Sequence, residues 1–164
     1  MALILSGDAG ITFPVTAGSA SAVQASSGRV LQVVNATYST SFSTTSTSFQ
    51  ATGLTASITP SSNSSKILIL VTQELYQNTA ANSGILTIYR GSTSGTNLGN
   101  SSFGFVSNYT FATAIASGAS AIYLDSPSTT SSTTYITAIR TEAGTVITCA
   151  NSQVATMILM EIAA

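Results

Sequence analysis

From Arg29 to the end of the chain, runs rich in β-branched and aromatic residues alternate with short clusters of Gly, Pro, Asn, Asp and Ser. A turn signal recurs about every eight to twelve residues, the spacing of an all-β sandwich or barrel. Few runs between these signals reach the roughly ten residues a helix needs. Residues 54–59 set the pattern: Leu54, Ala56 and Ile58 alternate with Thr55, Ser57 and Thr59. Such a period of two marks a strand buried on one face. Residues 66–74 are instead almost continuously apolar, which predicts a central strand.

Further strands are expected over 30–41, 85–90, 102–106, 109–115, 119–124, 133–140, 145–150 and 154–162. Residues 42–49, a Ser/Thr run with Phe at each end, read as a turn with strand edges. Turns or loops are expected over 60–65, 77–84, 91–99, 125–132 and 141–144. Segment 145–150 reads as the strand returning from 133–140. A helix over 111–120 is the weaker alternative, since that segment holds Gly118 and no clear apolar stripe. The expected fold is an antiparallel β-sandwich, specifically jelly-roll-like.

Residues 1–28 differ from the remainder. Residues 2–5 form one short apolar segment, and Ile11, Thr12 and Phe13 another, closed by Pro14. Residues 17–27 are small and polar, a linker composition. The segment has too few large apolar residues for its own core. We expect an extended anchoring arm over 1–28, with Leu3, Leu5, Ile11 and Phe13 as its contacts, followed by one sandwich domain over 29–164.

Composition narrows function. Only 5% of the residues are charged and the net charge is −1, where soluble domains average about 25% charged. Ser and Thr make up roughly a third of the chain, so hydroxyls rather than charges keep the surface wet. Four scattered basic residues argue against nucleic-acid binding, which needs many cations. They also supply no basic face for an amphipathic membrane helix. The longest apolar runs, such as 67–71, are far too short for a membrane helix. The start, MALILSGDAG, lacks the positive region of a signal peptide. So little charge leaves weak repulsion between copies.

Catalytic signals are sparse. The chain has no His, so neither a Ser-His triad nor a zinc site of the usual kind is expected. Asp8, Glu74, Asp125, Glu142 and Glu161 are spread along the chain with no local pair for acid–base work. Asp125, before Ser126 and Pro127, is expected to cap a turn. Glu161, between Met160 and Ile162, is expected either to be buried with an Arg or to point outward. The Gly-rich stretch 91–99 lacks the Lys of a phosphate loop. Cys149, the single cysteine, reads as a small buried hydrophobe. Asn35, Asn63, Asn100 and Asn108 fit the glycosylation pattern, as chance predicts in a Ser/Thr-rich chain. We expect no cofactor and no metal.

One binding surface is suggested. Tyr76, Tyr89, Phe103, Phe105 and Tyr109 lie in or near loops 77–84 and 91–101. With Asn78, Asn82, Asn97 and Asn100 they would give exposed contacts for a glycan or protein. The plainer reading puts Phe103 and Phe105 in the core and the tyrosines at the rim.

Several segments carry a resemblance. They are Gly28-Arg29-Val30-Leu31-Gln32-Val33-Val34, the run from Phe42 to Phe49, the run from Thr52 to Pro60, and Ser64-Ser65-Lys66-Ile67-Leu68-Ile69-Leu70-Val71. Leu124-Asp125-Ser126-Pro127 and the ending Met160-Glu161-Ile162-Ala163-Ala164 fit the same pattern. Together they resemble a module of tailed-bacteriophage virion proteins, especially marine and cyanobacterial ones, over residues 28–164. Gly10-Ile11-Thr12-Phe13-Pro14 resembles short β-segments that precede such modules in fibre-like proteins. The motifs are strand and turn signatures and carry no functional residues.

The resemblance implies a non-enzymatic structural protein on the virion surface, assembled in the bacterial cytoplasm. A homotrimeric capsid decoration (cement) protein bound to the major capsid protein is one placement. A tail fibre or spike bound to tail proteins and a host receptor is the other. Neither nucleic acid nor membrane insertion is implied.

Overall fold

The computed structural model describes residues 28–164 and, before them, the backbone of two short strands. These are β1 (Ile4–Ser6) and β2 (Gly10–Thr12), an antiparallel pair in which Leu5 lies opposite Ile11. Leu3 and Phe13 lie outside the described residues, as do the side chains of Leu5 and Ile11. The anchoring role expected of these four therefore stays an expectation.

Eleven strands follow: β3 (Val30–Tyr38), β4 (Phe42–Thr44), β5 (Gln50–Ile58), β6 (Lys66–Gln77), β7 (Asn82–Arg90), β8 (Thr96–Asn97), β9 (Val106–Thr110), β10 (Ile115–Asp125), β11 (Thr133–Thr141), β12 (Val146–Thr148) and β13 (Ala155–Ile162). The described chain is all-β apart from one 3₁₀ turn at Ala150–Ser152.

Two antiparallel sheets pack face to face as a β-sandwich. In the first, β6 is central. One edge of β6 pairs with β10, and the other with β13 and then β12, beyond which lie β3 and β4. In the second, β11 lies between β5 and β7, and β8 and β9 share the far edge of β7. The order is thus β3-β13-β6-β10 against β5-β11-β7-β9, with short strands added at the ends.

The core lies between the sheets. Ile67, Ile69, Val71 and Leu75 of β6, with Met157 and Leu159 of β13, meet Leu54 and Ile58 of β5, Leu86 and Ile88 of β7, and Tyr135 and Ile139 of β11. Burying one such side chain contributes roughly 1.5–3 kcal/mol. β5 follows its sequence alternation, with Leu54, Ala56 and Ile58 inward and Thr55 and Ser57 exposed. Its register against β11 shifts between Ile136 and Ala138. Gly53 sits in that irregularity at φ +99°, under the Tyr38 ring, where a Cβ would come within 2.5 Å. Glycine alone meets both demands.

Polar side chains tie the sheets at one end. Asp125 ends β10 of the first sheet. It accepts from Arg90 Nη1 of β7 at 3.1 and 3.2 Å and from the Tyr135 hydroxyl of β11 at 2.7 Å. The expected turn cap at Asp125 is therefore an inter-sheet tie. Burial, then the bond to Asp125, pushes the Tyr135 phenol far above its ordinary value, which keeps it a donor. Glu161 of β13 is fully buried, and its partner is not an Arg. Its carboxylate accepts from Gln32 Nε2 at 2.6 Å and from Ser61 N and Oγ at 2.7 Å each. Burial raises its pKa, but the bonds from Gln32, Ser61 and Ser65 outweigh it and hold the carboxyl down at about 2.

Several local expectations are corrected. The weaker alternative, a helix over 111–120, is absent, and the strand expected over 119–124 is longer, Ile115–Asp125 pairing with β6 along its whole length. The strand expected over 109–115 breaks at the turn 111–114, where Ala114 adopts φ +60°. The strand expected over 102–106 begins only at Val106, because Asn100 Oδ1 holds the amides of Ser102 and Phe103 in a turn, each at 2.8 Å. Segment 145–150 does not return along β11. It yields β12, which pairs with β4 and β6 in the other sheet.

Candidate interaction surfaces

The two loops expected to form one surface lie at opposite ends of the sandwich. β6 runs to Gln77 and β7 begins at Asn82, so the first loop shrinks to 78–81. It shares its end with the turn 142–145, through Asn78 N to Thr145 O and Glu142 N to Ser83 O. The Gly-rich turn after Arg90 lies at the other end of β7, joined to β11 by Gly91 N to Thr134 O. The 9 residues of β7 separate these ends by about 30 Å.

Most of the polar residues expected to be exposed are spent on the fold. Asn82 is buried: its Nδ2 donates to Thr141 Oγ1 at 2.8 Å, and its Oδ1 accepts from Thr141 Oγ1 and Ala143 N. Tyr89 is buried in β7 with its ring edge-on to Phe49, centroids 6.1 Å apart. Asn97 Oδ1 accepts from Thr87 Oγ1 and Gly99 N. Asn100 is exposed but closes the turn described above. Tyr76 is half-buried in β6, and Asn78 is exposed on a turn, where its Oδ1 accepts from Thr79 Oγ1 at 3.0 Å. The aromatic residues divide. Phe105 packs on the core against Tyr123, whereas Phe103 is exposed, which corrects the plainer reading for that residue.

Three other features stand out. At the end holding turn 78–81, Tyr109 and Phe111 stack edge to face with centroids 4.9 Å apart. Both are exposed, Phe111 to 86%. The sequence flagged Tyr109 but not Phe111, which it placed inside a strand.

On the outer face of the second sheet, Arg140 gathers two loops. Its Nε and Nη2 donate to Ser102 O, its Nη1 donates to Thr47 O, and its guanidinium lies over the Phe49 ring at 5.6 Å. Around it lies a shallow hollow of about 400 Å³ lined by Thr47, Ser48, Phe49, Tyr89, Ser101 and Ser102.

The outer face of the first sheet is the third feature. Val33, Ile122 and Leu124 stand exposed on it, with Leu68, Leu70, Ile158 and Met160 half-buried between them. Only one of the two central strands, β6, was flagged in the sequence by its unbroken apolar run.

Three of the carboxylates are committed to the fold. Glu74 Oε2 accepts from Ala150 N at 2.8 Å, which holds the β12–β13 connection over β6. Asp125 and Glu161 serve as described, and Glu142 is exposed on its turn. Among the described residues no three His, Cys, Asp or Glu side chains come together as a metal site, and no helix is long and apolar enough to cross a membrane. Cys149 is buried, as expected. The sequence matches no family model and no curated protein.

Proposed function

We propose that this chain is a non-enzymatic structural protein of a bacteriophage particle, a homotrimer that decorates the capsid surface and stabilises the shell. The observation that carries the reading is the strand order. β3-β13-β6-β10 faces β5-β11-β7-β9, and the chain crosses between the sheets at almost every long connection. We read this as a jelly roll, an architecture that recurs in viral capsid proteins. It agrees with the resemblance of residues 28–164 to phage virion modules. Commitment of Glu74, Asp125 and Glu161 to internal hydrogen bonds supports a mechanical rather than a catalytic role. In this reading residues 1–28 reach onto neighbouring capsid subunits and add backbone hydrogen bonds there. Phe13→Asp should then lower incorporation into particles, and unchanged incorporation would remove the anchoring role.

A tail fibre or spike that binds a host receptor is the second reading. The exposed Tyr109–Phe111 pair favours it, because paired aromatic faces at a domain tip suit a glycan or protein contact. Quantitative mass spectrometry of purified virions separates the two. A copy number close to that of the major capsid protein supports decoration. A few trimers per particle would exclude it and favour a tail appendage.

A further inference from the structure

The outer face of the first sheet is organised in rows across four strands. The cross-strand registers align Val33, Met160, Leu68 and Leu124 in one row, and Asn35, Ile158, Leu70 and Ile122 in the next. A third row is hydroxylic throughout: Thr37, Thr156, Thr72 and Ser120. Neither apolar row contains a charge, and Lys66 stands at the margin beside Ile162. Val33 is 56% and Ile122 67% exposed. An antiparallel sheet with one solvated face normally alternates apolar inward and polar outward. β5 obeys that rule. Between Ile67 and Val71, β6 is apolar on both faces, and so is β13 between Met157 and Met160.

We propose that this face is the surface through which copies of this chain associate. The proposal rests on the oligomeric reading above and gives that oligomer its interface. Three observations select a second copy as the occupant. The first is size. All four strands are paired together over Ile67–Thr72 of β6, which at about 4.8 Å between strands gives about 400 Å² in plan. That is the centre of an interface whose standard size is about 800 Å² from each partner, and the strand ends and turns around it would supply the remainder. The second is layout. The apolar rows supply the dry centre of an interface, and the hydroxylic row with Lys66 supplies a polar rim. The third is charge. An uncharged face meets its own copy without repulsion and offers a charged partner nothing to pair with. Around a threefold axis each copy of such a face would meet both of its neighbours, in a head-to-tail contact that closes on itself.

The test is sedimentation velocity on the full-length chain. Wild type is compared with Val33→Asp/Ile122→Asp and with Thr55→Asp, which puts one negative charge on the outer face of the other sheet. Wild type and Thr55→Asp should be oligomeric. The double variant should be monomeric with an unchanged far-UV spectrum, its association weakened at least about 100-fold. A folded double variant that still assembles like wild type would overturn the choice of face while leaving the oligomer intact. A monomeric wild type would overturn both the oligomer and its interface. Val33→Ser/Ile122→Ser gives the same comparison without buried charge should the aspartates prevent folding, and it should weaken association in the same direction.

Discussion

The two sheets of this sandwich treat their outer faces in opposite ways. The second sheet is clothed by the chain itself. Arg140 draws the carbonyls of Thr47 and Ser102 over it, and Thr87 and Ile85 of β7 are buried although they point away from the core. Where loops do not cover it, Thr55 and Ser57 meet water. The first sheet carries comparable apolar side chains in two of its rows, and among the described residues no loop lies over them. One face finds its cover within the domain, and in the proposed assembly the other is covered by a second copy.

The comparison is broken most strongly by exchanging inside for outside on β6. Ile69 faces the core and is fully buried, while its neighbour Leu70 lies on the bare face. Ile69→Ala should cost about 2–5 kcal/mol in urea unfolding on the monomeric Val33→Asp/Ile122→Asp background. Leu70→Ala should cost under about 1 kcal/mol in the same measurement, with its larger effect appearing in association. Equal losses would mean that the outer row already contributes to the monomer core.

Glu161 tests how the first sheet is held at its margin. Its carboxyl is held at about 2 against an ordinary 4.5. A lowered folded pKa gives stability that is present above the unfolded value and is lost as pH falls. Wild type should therefore lose stability between about pH 4.5 and pH 2. Glu161→Gln leaves Ser61 and Gln32 facing a neutral group. It should destabilise by about 1–3 kcal/mol at pH 7 and show a flatter profile through the same acid window. A variant whose acid profile matches wild type would assign the acid sensitivity elsewhere.

Undressing the second sheet is the milder operation. Arg140→Ala removes the bonds to Thr47 and Ser102 and should cost about 1–2 kcal/mol. Limited proteolysis should then cut faster within 98–105, and sedimentation should be unchanged. Altered association in this variant would show that both faces take part in assembly.

Much of this fold was legible because strands write their environment into a period of two. The alternation at 54–58 and the unbroken run at 67–71 predicted one half-buried and one central strand, and β5 and β6 are those strands. Turn details were less legible, since they depend on side chains finding distant partners. Asn82 reads as a loop residue until Thr141 comes within 2.8 Å of it across the sheet. Asp125 reads as a cap until Tyr135 and Arg90 reach it from the opposite sheet. The two loops flanking β7 looked like neighbours because they are close in sequence, but a strand places its ends apart.

β6 also contains the reverse of its own outer face, and the smallest prediction turns on it. Leu68 and Leu70 place apolar groups toward solvent, while Gln73, opposite Ala119 in the register, places an amide inside. Gln73 is buried, and neither its Nε2 nor its Oε1 has a hydrogen-bond partner among the described residues. An unpartnered buried amide forfeits its hydration, at a cost of about 1–3 kcal/mol. A leucine of similar volume there removes that cost and adds apolar burial. Part of the gain is offset by the shape mismatch of a branched side chain in a site formed around a straight one. Gln73→Leu should therefore raise stability by about 1 kcal/mol, with association unchanged because the residue does not touch the outer face. A loss of stability would mean that the amide is paired and that Gln73 belongs with Asn82 and Asp125 among the polar groups holding the sandwich together.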